Sequence, residues 1–125
     1  MGEISPKDVL RVRRVYETPE PADGARVLID RLWPRGLSKA DAQLTEWCKD
    51  VAPSTELRRW YGHRGERFER FAERYRAELA QEGAQEALER LRGLAAEGPL
   101  TLLTATKDAS SSHAAVLAEV LQEDL

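Results

Sequence analysis

Two guanidinium groups on a stiffened turn can grip a phosphate or carboxylate through paired hydrogen bonds, and residues 30–36, Asp-Arg-Leu-Trp-Pro-Arg-Gly, offer that pattern. Arg31 and Arg35 are the candidate clamps, Pro34 stiffens the backbone between them, and Gly36 lets a ligand approach. A plainer use of the same residues is open: Asp30 pairs with one arginine while Trp33 and Pro34 cover the core.

A second polar tract, residues 104–113, reads Thr-Ala-Thr-Lys-Asp-Ala-Ser-Ser-Ser-His. Unpaired backbone N–H groups and the positive end of a helix dipole would attract an anion there, with Lys107 and Ser110 as further donors. The alternative is that Asp108 or Ser110 merely caps the helix. Neither Gly-x-x-x-x-Gly-Lys-Ser/Thr nor Gly-x-Gly-x-x-Gly occurs in the chain, so a standard nucleotide fingerprint is lacking and no cofactor is expected.

For proton transfer the candidates are Asp30 and His113. An imidazole can act as acid, base or donor near neutral pH, although His113 shares a stripe with Val116 and Leu117 and also reads as a packed residue. His63, after Gly62, is a weaker candidate. No pair of ligand-type residues has helical or tight-turn spacing, so no metal is expected. Cys48 is the single cysteine. Adjacent strand residues face opposite ways, which separates it from Lys49 and favours a buried, inert thiol.

The elements that must position these groups follow from periodicity. Residues 10–16 alternate like a half-buried strand, with Leu10 and Val12 on one face and Arg11 and Arg13 on the other. Residues 26–32 contain Val27-Leu28-Ile29 and suit a strand covered on both faces, closed before Pro34. Ser38 caps a short turn at 39–43, residues 44–51 favour a short strand, and Ser54 or Thr55 caps a helix ended by Gly62. Apolar residues at three- and four-residue steps predict helices over 65–80 and from Ala84 to Ala95. Gly98-Pro99 stops the second of these, residues 100–105 form another buried strand, and a last helix carries His113 to Leu121. Strands separated by helices favour a mainly parallel sheet. The expected fold is therefore an α/β three-layer sandwich, a small, mainly parallel sheet flanked by helices. Such sheets bind ligands beyond the carboxyl ends of their strands, which selects the loops after Leu32 and Ala105.

With 125 residues and 42% apolar content, the chain can bury one core without disulfides, and one domain over 1–125 is expected with residues 1–8 as a flexible lead-in. A lone cysteine and the lack of a basic-apolar leader or a 20-residue apolar run point to a cytoplasmic protein with no membrane partner. The net charge is −3, from 19 basic and 22 acidic side chains, which argues against nucleic acid.

The run from Arg26 to Lys39, Trp47, residues 52–58 (Ala-Pro-Ser-Thr-Glu-Leu-Arg), Trp60 with Gly62-His63, and Leu102-Leu103 leading to Lys107-Asp108 together resemble domain-of-unknown-function family 488, in its short YeaO-like branch of bacterial proteins. The resemblance covers roughly residues 10–121 and implies a small bacterial α/β sandwich with an open sheet, with no established reaction, substrate or cofactor. It also implies acidic residues, a histidine and an asparagine after the Lys-Asp pair, where this chain has Ala109 and three serines. The leading expectation is thus a protein that binds or acts on a small phosphate- or carboxylate-bearing molecule. The alternatives are a non-catalytic interaction domain and, third, a nucleic-acid-associated protein.

Overall fold

The computed structural model describes residues 10–62 and 64–123. His63 and the lead-in at 1–8 lie outside the described residues. Four strands, β1 (Leu10–Arg14), β2 (Ala25–Leu28), β3 (Glu46–Trp47) and β4 (Leu100–Thr104), form one parallel sheet in the order β1-β4-β2-β3. Five α-helices accompany it: α1 (Lys39–Ala42), α2 (Thr55–Tyr61), α3 (Phe68–Leu79), α4 (Glu82–Glu97) and α5 (His113–Glu123). The expected α/β sandwich with a small parallel sheet is the observed architecture.

Central position dictates composition. β4 lies between β1 and β2, and all five of its residues are buried. Its pleat sends Leu100 and Leu102 to one face and Leu103 to the other. The first face carries the main core, where Val27, Ile29, Leu100 and Leu102 pack with Phe71, Tyr75, Leu88, Leu91 and Leu117. The second face is thinner: Val15, Leu28 and Leu103 are covered by Trp33, Leu37, Leu44 and Trp47. The four-residue helix α1 lies between Leu37 and Leu44, two of the residues that cover this side. Among the described residues, no helix is long and apolar enough to cross a membrane.

Helix ends follow capping chemistry. Ser38 accepts from Asp41 N, Ser54 accepts from Leu57 N, and Gly62 closes α2 in the left-handed region at φ 53°. Residues 65–67 form a 3-10 turn rather than the first turn of α3, which begins at Phe68.

All four strands are shorter than the sequence suggests, β4 by one residue and the others by more. β1 ends at Arg14, whose guanidinium reaches the carbonyls of Ala105 and Thr106, and Val15 N makes one more bond to Thr104 O at 2.9 Å. β2 ends at Leu28, not Leu32; Ile29 N makes one more bond to Leu103 O, and thereafter the Asp30 side chain takes over the contact with the neighbouring strand's end. The strand expected at 44–51 is two residues long and is followed by a 3-10 turn at Lys49–Val51.

Arg11 and Arg13, expected on a solvated strand face, meet a buried carboxylate instead. Asp23 is fully buried, with Arg13 Nη1 at 2.8 Å, Arg26 Nη1 at 2.5 Å and Arg11 Nη1 at 3.4 Å. Arg26, only 5% exposed, spends its other donors on the carbonyls of Ala42 and Gln43. This network joins β1, β2 and the α1 connection at the end of the sheet away from the loops after β2 and β4.

Candidate functional site

Because β2 and β4 are parallel neighbours, with Leu28 opposite Leu103, the loops that follow them leave the sheet at the same edge. Asp30 stitches the two exits together. Its Oδ1 accepts from Thr104 Oγ1 at 2.8 Å and its Oδ2 accepts from the Ala105 amide at 2.8 Å. The first turn of α5 brings His113 against the same carboxylate, with Nε2 at 3.1 Å from Asp30 Oδ1 and 3.0 Å from the Ile29 carbonyl oxygen. Tyr75 meets the imidazole edge-on at 6.0 Å, and Tyr75 is itself fixed by donating to the Val51 carbonyl. Asp30 therefore pairs with His113 and not with an arginine. Burial opposes ionisation of Asp30, but the hydrogen bond from His113, with those of the Ala105 amide and Thr104 hydroxyl, outweighs it and holds the carboxyl below its usual range.

Above this pair opens a cleft of about 1010 Å³. Its floor is aromatic and polar, with Phe71, Tyr61, Asp30 and His113, and its rim is cationic, with Arg31, Arg35, Arg58, Arg59 and Lys107. Five cations face two carboxylates, Asp30 and Asp108, in a chain whose net charge is −3. Arg35, Arg58, Arg59 and Lys107 are exposed and have no acidic partner among the described residues.

Of the residues singled out from sequence, Asp30, Arg31, Arg35, Lys107 and His113 line this one cleft, while Gly36 and Ser110 do not. Arg31 is largely committed to structure, donating from Nε to Pro53 O and from Nη2 to Ala52 O. Gly36 supplies a positive φ of 76° in the turn after Pro34, where a side chain would be strained although space is open. The turn is tied to β1 by Tyr16, whose hydroxyl donates to the Arg35 carbonyl. Trp33 donates to Leu37 O and packs edge-on against Trp47, so it covers the second face of the sheet.

Ser110 donates its hydroxyl to Asp108 at 2.6 Å, and Ser111 does so at 2.9 Å. These bonds hold the Asp108 carboxyl below its ordinary value. The amide at Ala114 goes to Ser112 Oγ and that at Ala115 to Ser112 O. The serine tract thus caps α5 from within, and these two amides of its first turn are already taken. The Ser111 carbonyl accepts from Tyr61 OH, fastening this loop to α2.

Arg58 and Arg59 escaped notice in the sequence. They sit in the last turn of α2, where basic residues ordinarily just complement the helix dipole. Nothing in local spacing announces that α2 will form the third wall of the cleft.

Cys48 is 1% exposed, with its thiol pushed up to about 11, first by burial and then by the charge of Glu46. Cys48 is not among the residues that line the cleft. Among the described residues, no group of three or more His, Cys, Asp or Glu side chains is placed to hold a metal ion.

A family model described as the inactive DUF488-N3 subclade matches residues 9–125. The chain is 53% identical over 112 residues to the uncharacterized protein Rv3073c of Mycobacterium tuberculosis (strain H37Rv), covering 90% of this chain and 92% of that protein. It is 44% identical over 113 residues to the uncharacterized protein YeaO of Escherichia coli (strain K12), covering 90% of this chain and 96% of YeaO. No solved structure matches.

Proposed function

The chain belongs to the inactive DUF488-N3 subclade, and from that premise we propose that it binds, without turning over, a small phosphate- or carboxylate-bearing molecule in the cleft beyond β2 and β4. One observation carries this reading. Arg35, Arg58, Arg59 and Lys107, from three separate segments, converge on one cleft with no acidic partner among the described residues. By contrast, Arg13, Arg26, Arg76 and Arg90 are each matched to a carboxylate. Gathering like charges costs free energy that a bound anion would relieve.

The roles divide by what each side chain is free to do. Arg35, Arg58, Arg59 and Lys107 contact the anion. Arg31, pinned by Ala52 and Pro53, holds a preset positive charge at the inner edge. Gly36 and Ser110 shape their loops, and Asp30 orients His113. A cytoplasmic setting belongs to the same proposal, since an unpaired, buried thiol suits a reducing compartment.

Thermal unfolding with increasing inorganic phosphate at low ionic strength tests it, since an anion that binds only the folded state raises the midpoint. The wild-type midpoint is expected to climb with phosphate. Arg58→Glu and Lys107→Glu, both at exposed positions, are each expected to weaken binding by about tenfold or more, the loss of a charge-assisted hydrogen bond. Equal stabilisation of wild type and both variants would end the proposal.

A further inference from the structure

Resting on the anion-binding reading, we infer that His113 Nδ1 is a hydrogen-bond acceptor for the ligand, so that the cleft selects anions carrying an O–H or N–H donor beside the charged group. The argument begins at the other ring nitrogen. Nε2 faces two acceptors, the Ile29 carbonyl oxygen at 3.0 Å and Asp30 Oδ1 at 3.1 Å. A lone pair there would oppose both, so Nε2 carries the hydrogen. In a neutral imidazole the remaining nitrogen then has a lone pair and no proton.

Asp30 cannot turn away to release this arrangement. Thr104 holds one of its oxygens and the Ala105 amide the other. Nδ1 receives no hydrogen bond from any described residue, and His113 is a lining side chain of the cleft.

The complementarity follows from what else the cleft presents. Its rim supplies donors: three exposed arginines and a lysine. Its carboxylates are engaged, Asp108 by Ser110 and Ser111 and Asp30 by Thr104, Ala105 and His113. A ligand hydroxyl or amine near the floor therefore finds its acceptor at Nδ1, whereas an anion oxygen pressed against that lone pair is repelled. The rim reads charge, and the floor reads a donor next to it.

The test compares glycerol 3-phosphate with propyl phosphate, which has no hydroxyl, and follows the imidazole by 15N NMR. The chain has two histidines, and His63→Gln assigns the signals. Free protein is expected to show an unprotonated Nδ1 that shifts saturably with glycerol 3-phosphate and stays put with propyl phosphate. The hydroxylated ester is expected to bind about fivefold tighter, the factor a neutral hydrogen bond supplies. A proton on Nδ1 in the free protein, or equal affinities with an unmoved resonance, would overturn the inference while leaving anion binding intact. Failure of both esters and of inorganic phosphate to bind would remove the underlying reading and this inference with it.

Discussion

Asp23→Asn is expected to lower the free energy of unfolding by about 3–5 kcal/mol, measured by urea denaturation at neutral pH. The magnitude follows from what the substitution strands. Asp23 is fully buried and collects donors from Arg13, Arg26 and the Glu20 amide. Burial opposes its ionisation, but the Glu20 amide and the guanidinium groups of Arg26 and Arg13 prevail and hold it below the usual carboxylate range. An asparagine keeps the shape and removes the charge, so Arg26, 5% exposed, keeps only carbonyl partners for a buried cation. Arg11 and Arg13 then repel it from the same site, with Glu17 and Glu20 as partial compensation. Replacing Arg26 by Met in the Asp23→Asn background should recover part of the loss, because the desolvated charge goes with it. The network lies away from the cleft, so it serves stability.

The second large effect falls on the cleft floor. Asp30→Asn is expected to destabilise by about 2–3 kcal/mol at pH 7, the cost of leaving partly buried hydrogen-bonding groups unpaired. Neither orientation of the amide fits: its NH2 group confronts either the Ala105 N–H or the Nε2 hydrogen of His113. The effect depends on pH in a definite direction. Folding holds Asp30 below its unfolded value, so its contribution is complete above about pH 4 and disappears as pH falls through the lower folded pKa. Wild type and Asp30→Asn should therefore converge in stability in acid. A gap that stays constant into strong acid would mean that the carboxylate charge is not what holds the two loop ends.

How much of this was legible beforehand depended on whether the signal was local. Val27 to Ile29, an unbroken apolar run, and residues 100–105, rich in leucine and threonine, read as buried strands, and Val27, Leu28, Ile29 and residues 100–104 are all buried. The stripe of Phe71, Tyr75 and Leu79 fixed α3 for the same kind of reason. The cleft's position followed from a topological rule, since parallel neighbours release their loops at one edge. What failed was non-local. The Asp30 and His113 pairing joins a strand exit to a helix start far along the chain, and no spacing encodes it. Arg58 and Arg59 looked like ordinary helix-surface charge until α2 was placed beside the two loops. Arg11 and Arg13 showed the alternation of a solvated face, and only the return of the 21–23 turn over β1 buries that face. The serine tract was ambiguous between ligand donor and cap; Asp108 accepts from the Ser110 amide and Ser112 Oγ from the Ala114 amide, so the capping contacts fall to the residues on either side of Ser110 and Ser111.

The central claim is that one cationic cleft, built from the loops after β2 and β4 and the end of α2, is where an anion binds. Chemical-shift mapping of the backbone amides during a titration with inorganic phosphate tests it most directly. Saturable shifts confined to residues 31–36, 58–62 and 105–113, with the same dissociation constant at each, are the predicted result. Shifts scattered over the exposed arginines of α3 and α4, or none at any phosphate concentration, would contradict it.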